Sequence, residues 1–196
     1  MLGGTFDPPH KGHLLLAKNA LKELEADKII FMTAGTPPHK DKRTVLDKSK
    51  RFDMVKLLVK GNSSFVASDL EIKENSKSYT ADTLLKLKKI YKDPQIYFIV
   101  GLDSFYDIEK WYKPEIIFQN CIIAVALRGG ISEESFSDKK KYYEEKYSAK
   151  IVNISMPKTD ISSSDIRKRI AEGRAVGKML TQEVLDYIEK NGLYKE

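Results

Sequence analysis

Gly3-Gly4-Thr5-Phe6-Asp7-Pro8-Pro9-His10-Lys11-Gly12-His13, followed by Leu14, Ala17, Leu21 and Leu24, is the stretch on which the fold turns. Those four apolar residues repeat at i, i+3, i+7 and i+10, the spacing of one helix face. The segment therefore reads as a glycine turn feeding the N-terminus of an amphipathic helix. Paired glycines let a backbone lie against a ligand with no Cβ in the way, and Pro8-Pro9 stiffens the turn that follows. Unpaired N–H groups and the positive end of the helix dipole make such an entrance a phosphate site. His10 and His13 stand there, and imidazole donors can hydrogen-bond phosphate oxygens in either protonation state. A single histidine would be read as a helix cap or a surface residue. Two of the chain's three histidines beside one glycine turn favour the phosphate reading. The pattern is neither a Walker loop nor a Gly-x-Gly-x-x-Gly dinucleotide fingerprint.

Outward from this loop, short β-rich runs alternate with helical patterns. The runs are 29–32, 65–67, 96–100, 121–126 and 151–154, each nearly continuous in apolar residues, as strands covered on both faces are. Between them, Phe52, Val55, Leu58 and Val59 mark a helix ending before Gly61, and Leu84, Leu87 and Tyr91 mark one stopped by Pro94. Pro114 suits the first turn of a short helix. Residues 136–147 are polar and lysine-rich and read as a solvated surface helix; two more follow at about 163–172 and 181–191, the last ending at Gly192. The alternation predicts an α/β fold: a Rossmann-like, doubly wound parallel sheet with helices on both faces and a small helical C-terminal part. One domain over 1–196 is expected, with 1–155 as the Rossmann-like core and 156–196 as the C-terminal part. Residues 36–50, rich in Pro and Lys, read as an irregular loop. Only Met1-Leu2 precede Gly3, whereas strands typically run about five or six residues. Either translation begins upstream or the first strand is curtailed.

Composition narrows the field. A length of 196 residues suits one domain, or one with an appendage, and 41% hydrophobic residues exclude wholesale disorder. No apolar run approaches the roughly 18–20 residues of a membrane span, and the start has no secretory signature. Cys121, the single cysteine, excludes an intrachain disulfide framework and fits a reducing cytoplasm; with three histidines it argues against structural zinc. Thirty-four Lys plus Arg against 28 Asp plus Glu give +6, which favours anionic partners: nucleotides, nucleic acid and acidic membranes all qualify.

Three further features carry chemistry. Ile161-Ser162-Ser163-Ser164-Asp165-Ile166-Arg167 opens the penultimate helix; one serine there would cap it, but three followed by a guanidinium make a second phosphate cradle. Trp111 is the only tryptophan. A lone indole usually packs in a core, yet the polar, turn-like neighbours Lys110 and Tyr112-Lys113-Pro114 mark it as exposed and free to stack on a ring. Asp103 lies just beyond the 96–100 run, where a carboxylate either accepts from ribose hydroxyls or caps the next helix.

Gly-Gly-Thr-Phe-Asp-Pro-Pro-His-x-Gly-His resembles the signature of the HxGH nucleotidyltransferases, and in particular of the bacterial nicotinate-nucleotide adenylyltransferases. The resemblance returns at Thr36-Pro37-Pro38-His39-Lys40, Ser78-Tyr79-Thr80, Gly101-Leu102-Asp103-Ser104-Phe105, Lys110-Trp111-Tyr112 and Ile161–Arg167, and so covers nearly the whole chain. It implies an enzyme of NAD biosynthesis that transfers AMP from ATP to nicotinate mononucleotide with Mg²⁺, giving deamido-NAD and pyrophosphate. It implies that His10 and His13 are catalytic, and that Gly3, Gly4, Thr5, Phe6, Asp103, Ile161, Ser162, Ser163 and Arg167 bind ATP. His39 and Lys40 would contact the mononucleotide's phosphate. Trp111 would stack on its ring, while the Thr80 hydroxyl and the Tyr112 backbone N–H receive its carboxylate. Mg²⁺ would be held by substrate oxygens and water, with no metal site of the protein's own. The partners expected are ATP and nicotinate mononucleotide, with no nucleic acid and no membrane; no motif bears on oligomeric state. Two rivals stand beside this reading. One keeps the chemistry but takes nicotinamide mononucleotide or phosphopantetheine as acceptor. The other is a non-catalytic nucleotide- or RNA-binding protein using the lysine-rich stretches 39–51 and 139–150, although Glu144-Glu145 dilute the second and no RNA-binding signature accompanies it.

Overall fold

The apolar runs pair side by side. A computed structural model describes residues 1–35, 45–73, 78–128, 133–156 and 159–195. Among these, β1 (Leu2–Gly4), β2 (Ile29–Thr33), β3 (Phe65–Ser68), β4 (Tyr97–Gly101), β5 (Ile122–Arg128) and β6 (Lys150–Met156) form one sheet in the order β3-β2-β1-β4-β5-β6. Every pairing is parallel. The helices between and after them are α1 (Lys11–Glu23), α2 (Lys48–Val59), α3 (Thr80–Ile90), α4 (Leu102–Asp107), α5 (Pro114–Asn120), α6 (Glu133–Tyr147), α7 (Ser163–Ala171) and α8 (Gln182–Lys190). A 3-10 turn at Ile108–Lys110 follows α4. No described helix is long and apolar enough to cross a membrane.

Strand order reverses at β1, which pairs with β2 on one side and β4 on the other. In such sheets ligands collect beyond the strand ends at this switch point. The strand there is short: Leu2, Gly3 and Gly4 pair with Phe31, Met32 and Thr33, and the Met1 carbonyl adds a bond from the Ile99 N–H at 2.9 Å.

Alternation along the strands divides the core into two layers. Phe31, Ile99 and Ala124 face Leu16 and Ala17 of α1, Met54, Val55 and Leu58 of α2, and Ile166, Val184 and Ile188 of α7 and α8. Phe98, Val100, Ile123 and Val125 face Leu84 of α3, Phe105 of α4, Ile117 and Phe118 of α5, and Phe136 and Tyr143 of α6. The C-terminal helices thus share a core with α2, and the Lys11 N–H donates to the Met179 carbonyl at 2.9 Å, closing that part over the start of α1.

Boundaries depart from the sequence reading in a few places. Helix α2 begins at Lys48, inside the stretch read as loop, because the Asp47 carboxylate caps it through the Ser49 N–H at 2.8 Å. Cys121 caps α5 rather than opening β5, and Asp103 lies in the first turn of α4 rather than capping it, the N-cap being Gly101. Helix α6 lies at the surface, as its composition suggests, with most of residues 136–147 exposed, but it also has a buried edge that was not anticipated. Phe136 and Tyr143, seven residues apart and so on one face, are buried. The Tyr143 hydroxyl donates to the carbonyls of Phe105 and Tyr106 at 3.1 and 3.2 Å, and its ring meets Phe105 edge-on at 5.3 Å. Tyr143→Ala should accordingly cost about 3–5 kcal/mol of stability and Tyr143→Phe only about 1. Urea unfolding measures both; a Tyr143→Ala loss below the Phe value would contradict a packing role for this edge of α6.

Candidate active site

A cleft of about 550 Å³ opens at the carboxyl ends of β1 and β4. One wall is the loop Gly3-Gly4-Thr5; the opposite wall is Ser78–Thr80 and Lys110–Tyr112, with Phe98, Val100 and Ser104 between them. Trp111 is half-buried, its indole edge-on to Phe98 at 6.2 Å, rather than exposed as its neighbours in sequence suggested. Tyr112 is 44% exposed, and its ring lies tilted against Tyr79 with the centroids 4.4 Å apart. Thr80 is the first residue of α3, where N–H groups are unpaired and the dipole is positive. An aromatic slot beside a helix N-terminus suits a planar ring that carries an anionic substituent.

Beyond Thr5 the same loop turns into α1 and carries the two histidines, which do not line the cleft. Their rings lie 3.8 Å apart. His13 Nδ1 accepts the His10 backbone N–H at 3.1 Å, so the neutral ring holds its proton on Nε2 and offers it as a donor. The capping and ligand-facing readings of this residue are thus compatible. His10 is 7% exposed, and its buried Nδ1 has no partner among the described residues. Burial lowers the His10 pKa from 6.5 to about 4; His13 falls well below 6.5 through burial and, secondarily, through His10. Both rings are neutral near pH 7.

Glycine leaves room for a close approach at two points here. A Cβ on Gly12 would come within 3.0 Å of His10 Nδ1, and one on Gly4 within 3.0 Å of the Phe6 ring. Phe6 is buried and packs edge-on against His13 at 5.0 Å, so Gly4 and Gly12 set how closely the rings gather.

Helix α7 docks on the loop from the other side. Ser163 Oγ donates to the Pro8 carbonyl at 2.8 Å and Arg167 Nη1 to the Asp7 carbonyl at 2.6 Å. Ser162 caps α7 by accepting the Asp165 N–H at 3.1 Å, and Ile161 lies against Gly12. The structure therefore gathers Gly3 to Phe6, His10, His13, Ile161, Ser163 and Arg167 around one loop, with Thr80, Trp111 and Tyr112 across the cleft. Asp103 stands apart: it is exposed in the first turn of α4 and does not line the cleft. His39 and Lys40 lie outside the described residues.

Several contributors had gone unassigned. Arg51 reaches the loop from beneath, donating to the Thr5, Gly35 and Leu46 carbonyls at 2.6, 2.8 and 2.9 Å. Its signal was positional: Arg51, Val55 and Leu58 share the i, i+4, i+7 face of α2, so this arginine sits on the buried stripe. Asp7 and Tyr79 lay inside quoted motifs but had been given no task.

A parallel sheet of this order, with a glycine loop and paired histidines at its switch point, is the architecture of nucleotidyl-transferring proteins. The chain belongs to the cytidylyltransferase-like family, whose model matches residues 1–169. Within it, the chain groups with the nicotinate-nucleotide adenylyltransferases. It is 42% identical over 196 residues to a "Probable nicotinate-nucleotide adenylyltransferase" of Clostridium botulinum (strain Eklund 17B / Type B), covering all of this chain and 97% of the relative. It is 38% identical over 195 residues to the protein so named in Clostridium tetani (strain Massachusetts / E88), covering 98% of it. The fold matches that of Plasmodium falciparum nicotinic acid mononucleotide adenylyltransferase complexed with NaAD at a TM-score of 0.79, with 23% identity, over 98% of this chain and 95% of that one.

The buried imidazole makes stability depend on pH. An unfolded histidine titrates near 6.5 and folded His10 near 4, so between those values the unfolded chain binds the extra proton and stability falls as pH falls. At pH 5 His10 alone should account for a loss on the order of 2 kcal/mol relative to pH 7. Thermal or urea unfolding of the unliganded protein against His10→Asn checks this: the wild-type curve should be steeper, and parallel curves would contradict it.

Proposed function

We infer that the protein transfers the AMP moiety of ATP to nicotinate mononucleotide, releasing pyrophosphate and forming deamido-NAD. One observation carries the reading: the loop that bears the imidazole pair is also a wall of the aromatic cleft. An acceptor seated against Trp111 and a triphosphate held at His10 and His13 would therefore meet over Gly3–Thr5. The full-length relatives, named for this activity, support it.

In this reaction an oxygen of the mononucleotide's 5′-phosphate attacks the α-phosphorus of ATP. The new P–O bond forms as the bond from the α-phosphorus to the α–β bridging oxygen breaks, and pyrophosphate leaves with the electron pair. The attacking phosphate is already ionised, so no nucleophile of the protein is needed. What remains is positioning and charge neutralisation. We assign His10 and His13 to the α/β-phosphate oxygens, with His13 Nε2–H as a donor. Ser162, Ser163 and Arg167 take the β/γ end, and Gly3, Gly4, Thr5, Phe6 and Ile161 cradle the rest of ATP. Trp111 stacks on the pyridine ring, while the Thr80 hydroxyl and the Tyr112 N–H donate hydrogen bonds to its carboxylate. Asp103, at the carboxyl end of β4, is assigned to a ribose hydroxyl from its place alone. Mg²⁺ would travel with ATP, held by phosphate oxygens and water, and would neutralise charge on the phosphates.

Pyrophosphate release with each acceptor tests the reading. The carboxylate of nicotinate gains charge-assisted bonds worth about 1.5–3 kcal/mol that an amide forgoes, so kcat/KM for nicotinate mononucleotide should exceed that for nicotinamide mononucleotide by about 10- to 100-fold. Equal values would remove the acceptor assignment. His13→Ala should lower kcat by roughly 100- to 1000-fold, the cost of one transition-state donor, with a circular dichroism spectrum like wild type. Trp111→Ala should raise KM for the mononucleotide far more than for ATP; an equal rise in both would make Trp111 a scaffold residue.

A further inference from the structure

Two side chains that hold the loop from beneath, Arg51 and Tyr194, have no place in the transfer chemistry. Arg51 is 1% exposed, and Nε, Nη1 and Nη2 are each committed to a main-chain carbonyl, one of them that of Thr5. Asp7 is 3% exposed, and its carboxylate accepts the Tyr194 hydroxyl at 2.7 Å and the Leu46 N–H at 3.4 Å. Burial and the Asp7 carboxylate push the Tyr194 phenol above its usual range, so it stays protonated and remains a donor. Tyr194 lies beyond α8, next to Leu193, which is buried in the same core as Val184 and Ile188; the tail is thereby fixed.

The two contacts bracket a single residue. Arg51 holds Thr5 and Tyr194 holds Asp7, and between them Phe6 adopts φ +51°, a left-handed conformation uncommon for a side chain of this size. The Phe6 ring is what packs edge-on against His13. A shift of either bracket moves Phe6, and the imidazole moves with it.

We infer that Arg51 and Tyr194 are positioning residues for adenylyl transfer, acting through the Thr5–Asp7 backbone and Phe6 to set the His13 imidazole. The inference rests on the transferase reading above, and a ring displaced by about 1 Å is enough to slow such a reaction up to about 100-fold.

The test uses the full chain with Tyr194→Phe, Arg51→Lys and Arg51→Met, assayed for pyrophosphate release well below each unfolding midpoint. Side-chain ¹H–¹⁵N spectra of the histidines are recorded without substrate. Tyr194→Phe should lower kcat about tenfold with mononucleotide KM within about twofold, and should shift the His13 resonance; Arg51→Met should cost more, with Arg51→Lys between it and wild type. Lower melting temperatures with wild-type kcat and unmoved imidazole signals would overturn the inference. Should Arg51→Met fail to fold, Tyr194→Phe, which keeps the ring, still decides. If wild type itself releases no pyrophosphate, the transferase reading fails, and the imidazole spectra alone judge the positioning role.

Discussion

A glycine loop that must leave one side open to a ligand has to be held from its other side, through its carbonyls and buried side chains. The loop after β1 meets that constraint at nearly every step. The Gly4 carbonyl accepts from the Ala34 N–H, Thr5 from Arg51, Asp7 from Arg167, Pro8 from Ser163, and His10 from the first turn of α1. The donors come from the β2 end, α2 and α7, segments widely separated in sequence. Each of these partners fixes one carbonyl, so the course of the loop is set at several points along it. The buried Arg51 is the most demanding of them, since desolvating a guanidinium is worthwhile only where every N–H direction finds an acceptor. Once those acceptors exist, each of the three carbonyls is fixed relative to the others.

This constraint explains why the fold was legible and the support was not. Buried parallel strands write themselves as uninterrupted apolar runs, so 29–32, 65–67 and 96–100 could be read directly, and with them the sheet that places the site. Helix ends at Gly61 and Gly192 were equally plain, since both glycines take positive φ past their helices. Arg51 was hidden because its partners are carbonyls, which carry no residue identity, and because Lys48 and Lys50 beside it dress it as one more surface cation. The buried edge of helix α6 was missed for a related reason. Its buried face is written in tyrosine, a residue whose polar tip blurs a hydrophobic stripe, and its flanks are lysine and glutamate. Trp111 erred in the other direction: polar neighbours along the chain say little about a partner such as Phe98, which arrives from another strand.

The charge of the chain takes on a different meaning once its partners are seen. The lysines of α6, which would have formed the basic patch of an RNA-binding surface, are largely engaged. Lys139 bonds Glu109 at 2.5 Å, Lys140 and Lys141 face Glu144 and Glu145 one turn on, and Lys146 lies over the rings of Tyr142 and Tyr147. Surface pairs of this kind add little to stability, but opposite charges a few ångströms apart cancel each other's field within a Debye length. Glu109 is also the residue two before Trp111, so the same cluster ties α6 to the turn that walls the cleft.

At the phosphate loop itself, by contrast, the protein keeps its histidines uncharged. Two imidazolium rings 3.8 Å apart in a buried setting would repel each other and pay for desolvation twice, and the lowered pKa values express that cost. Neutral rings avoid it while still presenting a donor at His13 Nε2. On the proposed function, a polyphosphate bound here would raise both pKa values, because an opposite charge within a few ångströms favours the protonated ring. The Arg167 guanidinium, anchored by one Nη atom to the Asp7 carbonyl, stands alongside. A site built this way avoids a standing cluster of buried cations when empty near neutral pH, and still offers the donors that the proposed transfer between two anions would use.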